Sequence, residues 1–365
     1  MASVPDTKTL ADVYEQLAAH KNVLISGPPG TGKSRLMREI AAAFVAPEPG
    51  GPLLYRGDEI AIPEKPKTPA PGSRLLTVGA KTKVFSTTFD QNTKHSDFLR
   101  GIVPTIGSQM SFKVSKGILF EAAEFARQSG QYSLVLVDEI NRGPAVSIFG
   151  SSMVALEPSK RLNSANEPTK ESQSFRVMND DGEFVDYYLP DRLFIVAAMN
   201  QADSSVDAMD VAFQRRFARI RLDPDEAALR GYFDLPDGKL TPARDAPQSA
   251  ADVYSALVLG WRGINRRIVR GKGEAYQMGH GLLMRTAISD SLDQALSEAS
   301  DTWDLMDAHL AEIFYGDVRG LGESLGAGKK GSLYEVKTSI FGDQQVAVLH
   351  LQKNATVYGR LLAAE

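Results

Sequence analysis

Short runs of consecutive apolar residues alternate with longer segments of helical spacing along the first part of the chain. Such runs are typical of buried strands, whereas apolar residues three and four positions apart indicate one face of a helix. Strands are predicted at residues 23–25, 84–89, 134–137 and 193–199. Helices are predicted at residues 9–19, 34–44, 117–128 and 144–157. Strands that alternate with helices predict an α/β fold with a parallel sheet.

The pattern becomes mainly helical in the last third of the chain. Long helices are predicted at residues 253–270 and 292–315. We therefore expect two domains. The first is an α/β domain over residues 1–223, and the second is a smaller helical lid over residues 224–365 with a C-terminal extension.

Three further segments depart from this alternation. Residues 47–72 are rich in Pro and Gly and predict an irregular insertion. Residues 175–189 alternate around Asp181-Gly182, which predicts a hairpin. Residues 333–351 alternate weakly, and we expect a second hairpin there.

Composition places the chain among ordinary folded proteins, with 43% apolar residues, 24% charged residues and a formal net charge of −4. An acidic balance argues against a broad nucleic-acid-binding surface and leaves room only for a local basic stripe. The chain has no cysteine, which excludes disulfides and Cys-based zinc sites. No apolar run approaches the ~20 residues of a membrane span, so we expect a cytoplasmic protein that does not bind membranes.

One segment between a predicted strand and a predicted helix has the spacing G-x-x-x-x-G-K-S. Its residues are Gly27, Pro28, Pro29, Gly30, Thr31, Gly32, Lys33 and Ser34. A glycine-rich turn in this position directs backbone N–H groups towards phosphate oxygens, and the dipole of the following helix adds to the attraction. We therefore predict a nucleoside triphosphate site, in which Lys33 reaches the β- and γ-phosphates and Ser34 binds Mg²⁺.

Two predicted strands are followed directly by carboxylate and amide side chains. Asp138 and Glu139 follow one strand, and Asn200 follows the other. Ligands of an open α/β sheet bind at the carboxyl ends of its strands. We expect Asp138 to bind Mg²⁺, Glu139 to polarise the attacking water, and Asn200 to contact the γ-phosphate or that water. A turn-capping role is the alternative for Asn200.

Arg215 and Arg216 form a basic pair after these motifs. An arginine stabilises the charge of a phosphoryl-transfer transition state, and a neighbouring subunit can supply it. A solvated basic face is the alternative. The position of the pair after the other three motifs favours a catalytic role.

The order of phosphate loop, Asp-Glu, Asn and Arg pair resembles the AAA+ superfamily. More specifically, the chain is similar to the McrB family, the nucleotide-driven motors of modification-dependent restriction. Residues 138–143 match the family's D-E-I-N-R-G. The other similar segments are residues 148–150, 156–157, 160–161, 199–205, 212–217, 279–280 and 310–317. The resemblance extends over about residues 20–325.

The resemblance implies hydrolysis of GTP or ATP with Mg²⁺ in a homo-oligomeric ring, most simply a hexamer. GTP is slightly favoured because McrB relatives use it, although no N-K-x-D guanine motif is present. An McrC-like nuclease or another effector is the implied partner. McrB-type proteins carry a DNA-reading domain before the motor, and few residues precede the first predicted strand here. We therefore expect partner chains to contact DNA within a multi-chain defence complex.

Two other functions remain open on the sequence. A MoxR-like chaperone, which remodels or matures a protein partner, shares the general AAA+ motif order but lacks D-E-I-N-R-G followed by I-F-G. A nucleotide-gated scaffold, in which hydrolysis only times assembly, is the second. Gln201 and Ser204 also differ from the McrB pattern in a segment that couples hydrolysis to the partner.

Overall fold

The described part of the chain forms two compact units in this computed structural model. The described residues are 7–45, 80–105, 111–202, 209–284, 288–329 and 332–365. Among them, the larger unit contains the residues up to Ser26 and those from Lys33 to Arg221. The smaller unit contains Gly27–Gly32 and Leu222–Glu365.

Helices and strands alternate along the larger unit. Its helices are α1 (Thr7–His20), α2 (Lys33–Val45), α3 (His95–Phe98), α4 (Ile118–Arg127), α5 (Ala145–Phe149) and α6 (Val211–Gln214). Its strands are β1 (Asn22–Gly27), β2 (Lys81–Thr88), β3 (Arg100–Thr105), β4 (Ser111–Lys116), β5 (Gln131–Asp138), β6 (Phe175–Met178), β7 (Phe184–Tyr187), β8 (Leu193–Asn200) and β9 (Ala218–Arg221). β3 and β4 form an antiparallel hairpin, and so do β6 and β7.

The remaining five strands form one sheet in the order β2-β5-β8-β1-β9. The β2–β5, β5–β8 and β1–β9 pairs are parallel. β1 is buried along its whole length and β5 is buried over its apolar run, as expected for central strands covered on both faces. β1 comes first in the chain but lies between β8 and β9 in the sheet. The carboxyl ends of β5, β8 and β1 are therefore neighbours, and ligands bind at such a position in open α/β sheets. This arrangement confirms the predicted α/β fold.

An aromatic cluster centred on Phe149 joins several elements of the larger unit. The Phe149 ring centroid lies 4.6 Å from that of Phe98 and 5.0 Å from that of Phe213. Phe89 and Phe217 lie 6.2 Å and 6.4 Å from it. Each of these rings is buried, and burial of one such side chain contributes about 1.5–3 kcal/mol to folding. The cluster thereby fixes the segment after α6 to the core.

The helix predicted at residues 144–157 is wrong in its length. α5 ends at Phe149, and a 3₁₀ helix follows over Gly150–Ala155. Gly150 has φ +51°, a conformation that interrupts a right-handed helix and favours glycine. A Cβ at Gly150 would lie 2.8 Å from the His95 ring, so the local packing also requires glycine.

Two hairpins show where the sequence pattern was informative and where it was not. The hairpin predicted at residues 175–189 is confirmed by β6 and β7. The β3–β4 hairpin was not predicted, because Pro104 interrupts its pattern and Ile102 is 55% exposed. The predicted insertion at residues 47–72 lies outside the described residues.

The smaller unit is mainly helical. Its elements are α7 (Glu226–Tyr232), α8 (Ala250–Gly271), α9 (Leu292–Ile313), α10 (Val318–Ser324), β10 (Tyr334–Phe341), β11 (Gln344–Leu351) and α11 (Val357–Ala363). α8 is buried along most of its length and forms the centre of this unit. β10 and β11 pair antiparallel, which confirms the hairpin predicted near residues 333–351. Among the described helices, none has the length and apolar character needed to cross a membrane.

Candidate functional site

Ser34 and Asp138 lie together in the larger unit, at the start of α2 and the end of β5. The Ser34 hydroxyl is exposed and lies 3.4 Å from Oδ2 of Asp138. Oδ1 of Asp138 accepts a hydrogen bond from the backbone N–H of Glu139 at 3.0 Å, which fixes the carboxylate. Hydroxyl and carboxylate oxygens are ligands that suit Mg²⁺. Among the described residues, no group of three His, Asp or Glu side chains that could hold a metal ion is found.

Glu139 is held in an unusual conformation directly after Asp138. Its φ is +51°, and a left-handed conformation at a residue other than glycine costs about 1–3 kcal/mol. Nδ2 of Asn200 donates to Oε1 of Glu139 at 2.8 Å, and Nε of Arg142 lies 3.5 Å from Oε2. Asn141 also donates to the backbone carbonyl of Asn200 at 2.8 Å. These contacts fix the carboxylate at the carboxyl end of the sheet.

Lys33 is the buried cation of this group. It is 8% exposed, and burial lowers the pKa of its ammonium group to about 8, although the carboxylates of Glu139 and Asp138 act in the opposite direction. A buried ammonium group is stabilised by an anion of high charge. Lys33 is therefore suited to binding phosphate.

The loop that precedes Lys33 in sequence belongs to the smaller unit. Gly30 and Gly32 have φ values of +77° and +88°, which favour glycine because a side chain would be strained there. The Thr31 hydroxyl donates to the carbonyl of Pro28 at 2.9 Å and closes the turn. These features fit the phosphate loop that the sequence predicts.

A second glycine-containing segment, Gly279–Gly281, packs against this loop within the smaller unit. The N–H groups of Gly279 and Gly281 donate to the carbonyls of Pro29 and Gly30 at 2.9 Å and 2.8 Å. A Cβ at Gly279 would lie 2.1 Å from the carbonyl carbon of Gly30. Nδ1 of His280 accepts a hydrogen bond from the backbone N–H of Asp225 at 3.1 Å. The segment therefore contacts the loop through its backbone, and His280 anchors it.

Buried side chains of α8 hold the residue that precedes this segment. Asn265 accepts a hydrogen bond from the N–H of Met278 at 2.7 Å and donates to its carbonyl at 2.9 Å. Nε1 of Trp261 donates to the same carbonyl at 2.9 Å. The position of Gly279 is thus set by the core of the smaller unit.

The two arginines of the predicted pair have different surroundings. Nε of Arg216 donates to the carbonyl of Met153 at 2.9 Å, and its guanidinium also bonds the carbonyl of Ala212. Arg215 is exposed, and its side chain forms no hydrogen bond or ion pair within the described residues. Arg216 is therefore held by backbone carbonyls of its own chain, whereas Arg215 is accessible to another molecule.

The structure brings Lys33, Ser34, Asp138, Glu139 and Asn200 together in the larger unit and places the arginine pair elsewhere in it. Sequence reasoning had assigned no role to Arg142, although its spacing of three residues from Glu139 allows the observed ion pair. It had also missed Gly281. The signal was a second glycine beside Gly279-His280, which permits a close approach between two backbones.

The sequence is similar to one domain family and to two restriction proteins. Residues 73–217 match the AAA domain of the dynein-related subfamily. The Type IV methyl-directed restriction enzyme EcoKMcrB subunit of Escherichia coli K12 is 27% identical over 222 residues, which are 60% of this chain and 39% of that protein. The Type II restriction enzyme BsuMI component YdiS of Bacillus subtilis 168 is 28% identical over 213 residues, or 54% of this chain and 56% of that protein. The matches therefore span only about two-fifths and just over half of these relatives.

A comparison of folds gives weaker similarity. The structure of PCH-2 from C. elegans aligns with 84% of this chain and 68% of its own, at 13% identity and a TM-score of 0.33. That score is too low to support a fold assignment. The assignment rests instead on the strand order β2-β5-β8-β1-β9.

Proposed function

Because this chain belongs to the McrB-like AAA+ family, we propose that it is a nucleoside triphosphatase and the ring-forming motor subunit of a multi-chain restriction or antiviral defence complex. The similarity to two restriction proteins supports the biological setting, which would place the chain in the cytoplasm. The observation that carries the proposed activity is the Glu139 carboxylate, bonded to Asn200 at 2.8 Å, in the same unit as Lys33, Ser34 and Asp138.

The phosphate loop and α2 would bind the triphosphate. Backbone N–H groups of the loop residues other than Pro28 and Pro29 would donate to phosphate oxygens, and the Lys33 ammonium would pair with the β- and γ-phosphates. Ser34 and Asp138 would hold Mg²⁺, which neutralises phosphate charge when it is bound. The 3.4 Å separation of their oxygens supports a shared role.

Glu139 would act as the general base for the attacking water. The water gives a proton to the carboxylate as its oxygen attacks the γ-phosphorus, and the bond to the bridging oxygen of the β-phosphate breaks. The products are a nucleoside diphosphate and inorganic phosphate. Asn200 holds the carboxylate in position through its 2.8 Å hydrogen bond, and the Arg142 guanidinium lies 3.5 Å from the other carboxylate oxygen.

Arg215 is the residue that we propose to act on the nucleotide of a neighbouring subunit. It is exposed, and an arginine supplied in this way contributes about 10³–10⁵ to turnover in related nucleotide hydrolases. Arg216 would instead brace the segment, since its guanidinium bonds the carbonyls of Met153 and Ala212. A closed ring, most simply a hexamer, would give every subunit such a neighbour.

We propose GTP as the preferred substrate and ATP as the alternative, following the McrB-like relationship. An McrC-like nuclease or another effector chain would use the motor, and DNA would be contacted through partner chains. The net charge of −4 supports an indirect contact with DNA, because an acidic protein gains little from a phosphate backbone.

Hydrolysis of GTP and ATP, measured side by side with the oligomer mass under each nucleotide, tests this proposal. We expect faster hydrolysis of GTP and a nucleotide-dependent mass of about six subunits. Preference for ATP would favour the chaperone alternative. Absence of hydrolysis with both nucleotides, in a protein that still binds them, would contradict the assignment as a triphosphatase.

A further inference from the structure

Asn22 and Arg161 form a buried polar pair next to the arginine segment, which is residues 213–217. Asn22 is fully buried and Arg161 is 1% exposed. A guanidinium N–H of Arg161 donates to Oδ1 of Asn22 at 2.6 Å. Nε of Arg161 donates to the carbonyl of Leu156 at 3.1 Å, and a further N–H bonds the carbonyl of Leu193.

This pair determines which way the Asn22 amide points. Arginine can only donate hydrogen bonds, so the amide oxygen of Asn22 must face Arg161. The amide nitrogen then faces the other way, where it donates to the carbonyl of Leu156 at 2.8 Å and to that of Arg216 at 3.0 Å. Asn22 therefore connects the start of β1 to the backbone next to Arg215.

The contact with Arg216 completes a fixed turn around Arg215. Phe213 and Phe217 are buried on either side, with centroids 5.2 Å apart. The Arg216 guanidinium bonds the carbonyl of Met153, and the Arg216 carbonyl accepts the hydrogen bond from Asn22. Within this turn the side chain of Arg215 is the one presented to solvent.

Stability alone does not explain a buried arginine at this place. Burial lowers the pKa of Arg161 to about 10, and Asp191 only partly offsets this effect. A well-packed apolar pair is often as stable as a buried charged group. An apolar pair would not fix the position of the Arg216 backbone, because it cannot donate a hydrogen bond to the Arg216 carbonyl.

We propose that Asn22 and Arg161 are positioning residues that fix Arg215 for hydrolysis on a neighbouring subunit. Arg161 orients the Asn22 amide, and the amide fixes the backbone that presents Arg215. The proposal rests on the proposed function, in which Arg215 acts across a subunit boundary. It predicts that damage to the pair impairs the subunit that donates the arginine and spares the active site of the same subunit.

Two variants separate this role from general stability. Asn22→Asp keeps an acceptor for Arg161 but replaces the N–H groups that face the carbonyls of Leu156 and Arg216. The double variant Asn22→Leu with Arg161→Met removes the whole polar pair without leaving a buried charge. Tyr14→Phe is the matched control, because it removes a buried side-chain bond to the carbonyl of Ile40 in the same unit, away from the arginine segment.

The test uses mixtures of two inactive full-length chains. Glu139→Gln subunits donate Arg215 but do not hydrolyse, and Arg215→Ala subunits hydrolyse only when a neighbour donates. A mixture of the two should regain turnover. When Asn22→Asp or the double variant is added to the donor, we expect about 10- to 100-fold less turnover, since a misplacement of about 1 Å can cost 10²-fold. Added to the acceptor instead, the same changes should leave turnover within about twofold of that of Tyr14→Phe.

Each outcome decides a different claim. Equal loss in donor and acceptor, or no loss in either, would overturn the positioning role while leaving donation by Arg215 intact. If the unmodified mixture stays inactive although wild-type protein hydrolyses nucleotide, then Arg215 does not act across subunits. That result would reject both the arginine assignment in the proposed function and the positioning role.

Discussion

At the scale of single residues, Lys33 and Arg215 have opposite surroundings, and they lead to different predictions. Lys33 is a buried cation beside two carboxylates, and its pKa is lowered to about 8. Arg215 is exposed, whereas its neighbour Arg216 is bonded to backbone carbonyls. The first residue should control how binding depends on pH, and the second should affect turnover without affecting folding.

Nucleotide binding should weaken as the pH rises above about 8. Above this pH, Lys33 of the nucleotide-free protein loses its proton. It must take up a proton again before its ammonium group can pair with phosphate. Because one proton is taken up on binding, the affinity falls by about tenfold at most for each pH unit above the pKa of Lys33 in the nucleotide-free protein. Well below that pKa, Lys33 makes no pH-dependent contribution to the affinity. Dissociation constants of a nucleotide between about pH 7 and pH 9 measure this, with Lys33→Met as the control for titration of the nucleotide. The same slope in Lys33→Met would remove Lys33 as its cause.

The two arginines should give opposite results when each is replaced by alanine. Arg215→Ala should lower turnover by about 10³-fold or more and leave thermal stability unchanged. Arg216→Ala should lower the free energy of unfolding by about 1–3 kcal/mol, because it removes the hydrogen bonds that a charged donor makes to the carbonyls of Met153 and Ala212. Turnover and chemical denaturation of both variants measure the difference. Loss of stability in Arg215→Ala with normal turnover would reverse the assignment.

At the scale of elements, the contact between Gly279–Gly281 and the phosphate loop restricts the conformation of both segments of the smaller unit. It consists of two backbone hydrogen bonds, and it leaves no space for a side chain at Gly279. Asn265 and Trp261 of α8 fix the residue before it. The conformation of the loop should therefore depend on this segment.

Gly279→Ala should weaken nucleotide binding about tenfold or more. The new Cβ would lie 2.1 Å from the carbonyl carbon of Gly30, so the phosphate loop would have to move. Such a movement costs roughly 1–3 kcal/mol. Gly238→Ala is the matched control, since a Cβ there meets no atom within 4 Å. Calorimetric titration of both variants with a nucleotide compares them. Unchanged affinity in Gly279→Ala would show that this contact does not shape the binding loop.

At the scale of the whole molecule, the sequence predicted the elements that consecutive buried residues define. β1, β5 and β8 are buried apolar runs, so their positions and the residues after them could be located directly. The β3–β4 hairpin and the 3₁₀ segment after Phe149 could not, because exposed strands and a glycine of positive φ leave no periodic signal. Glu139 and Asn200 could be placed at strand ends from the sequence, whereas the hydrogen bond between their side chains is a finding of the structure. The Asn22–Arg161 pair could not, since it joins residues 139 positions apart.

Hydrolysis by Glu139→Gln, with nucleotide binding measured on the same sample, tests the role of this carboxylate as the general base. We predict unchanged binding and assembly, with turnover lowered by about 10²–10⁴-fold through loss of the general base. Glu121→Gln, an exposed substitution on α4, should behave as wild type. Turnover at the wild-type rate in Glu139→Gln would show that this carboxylate does not activate the attacking water.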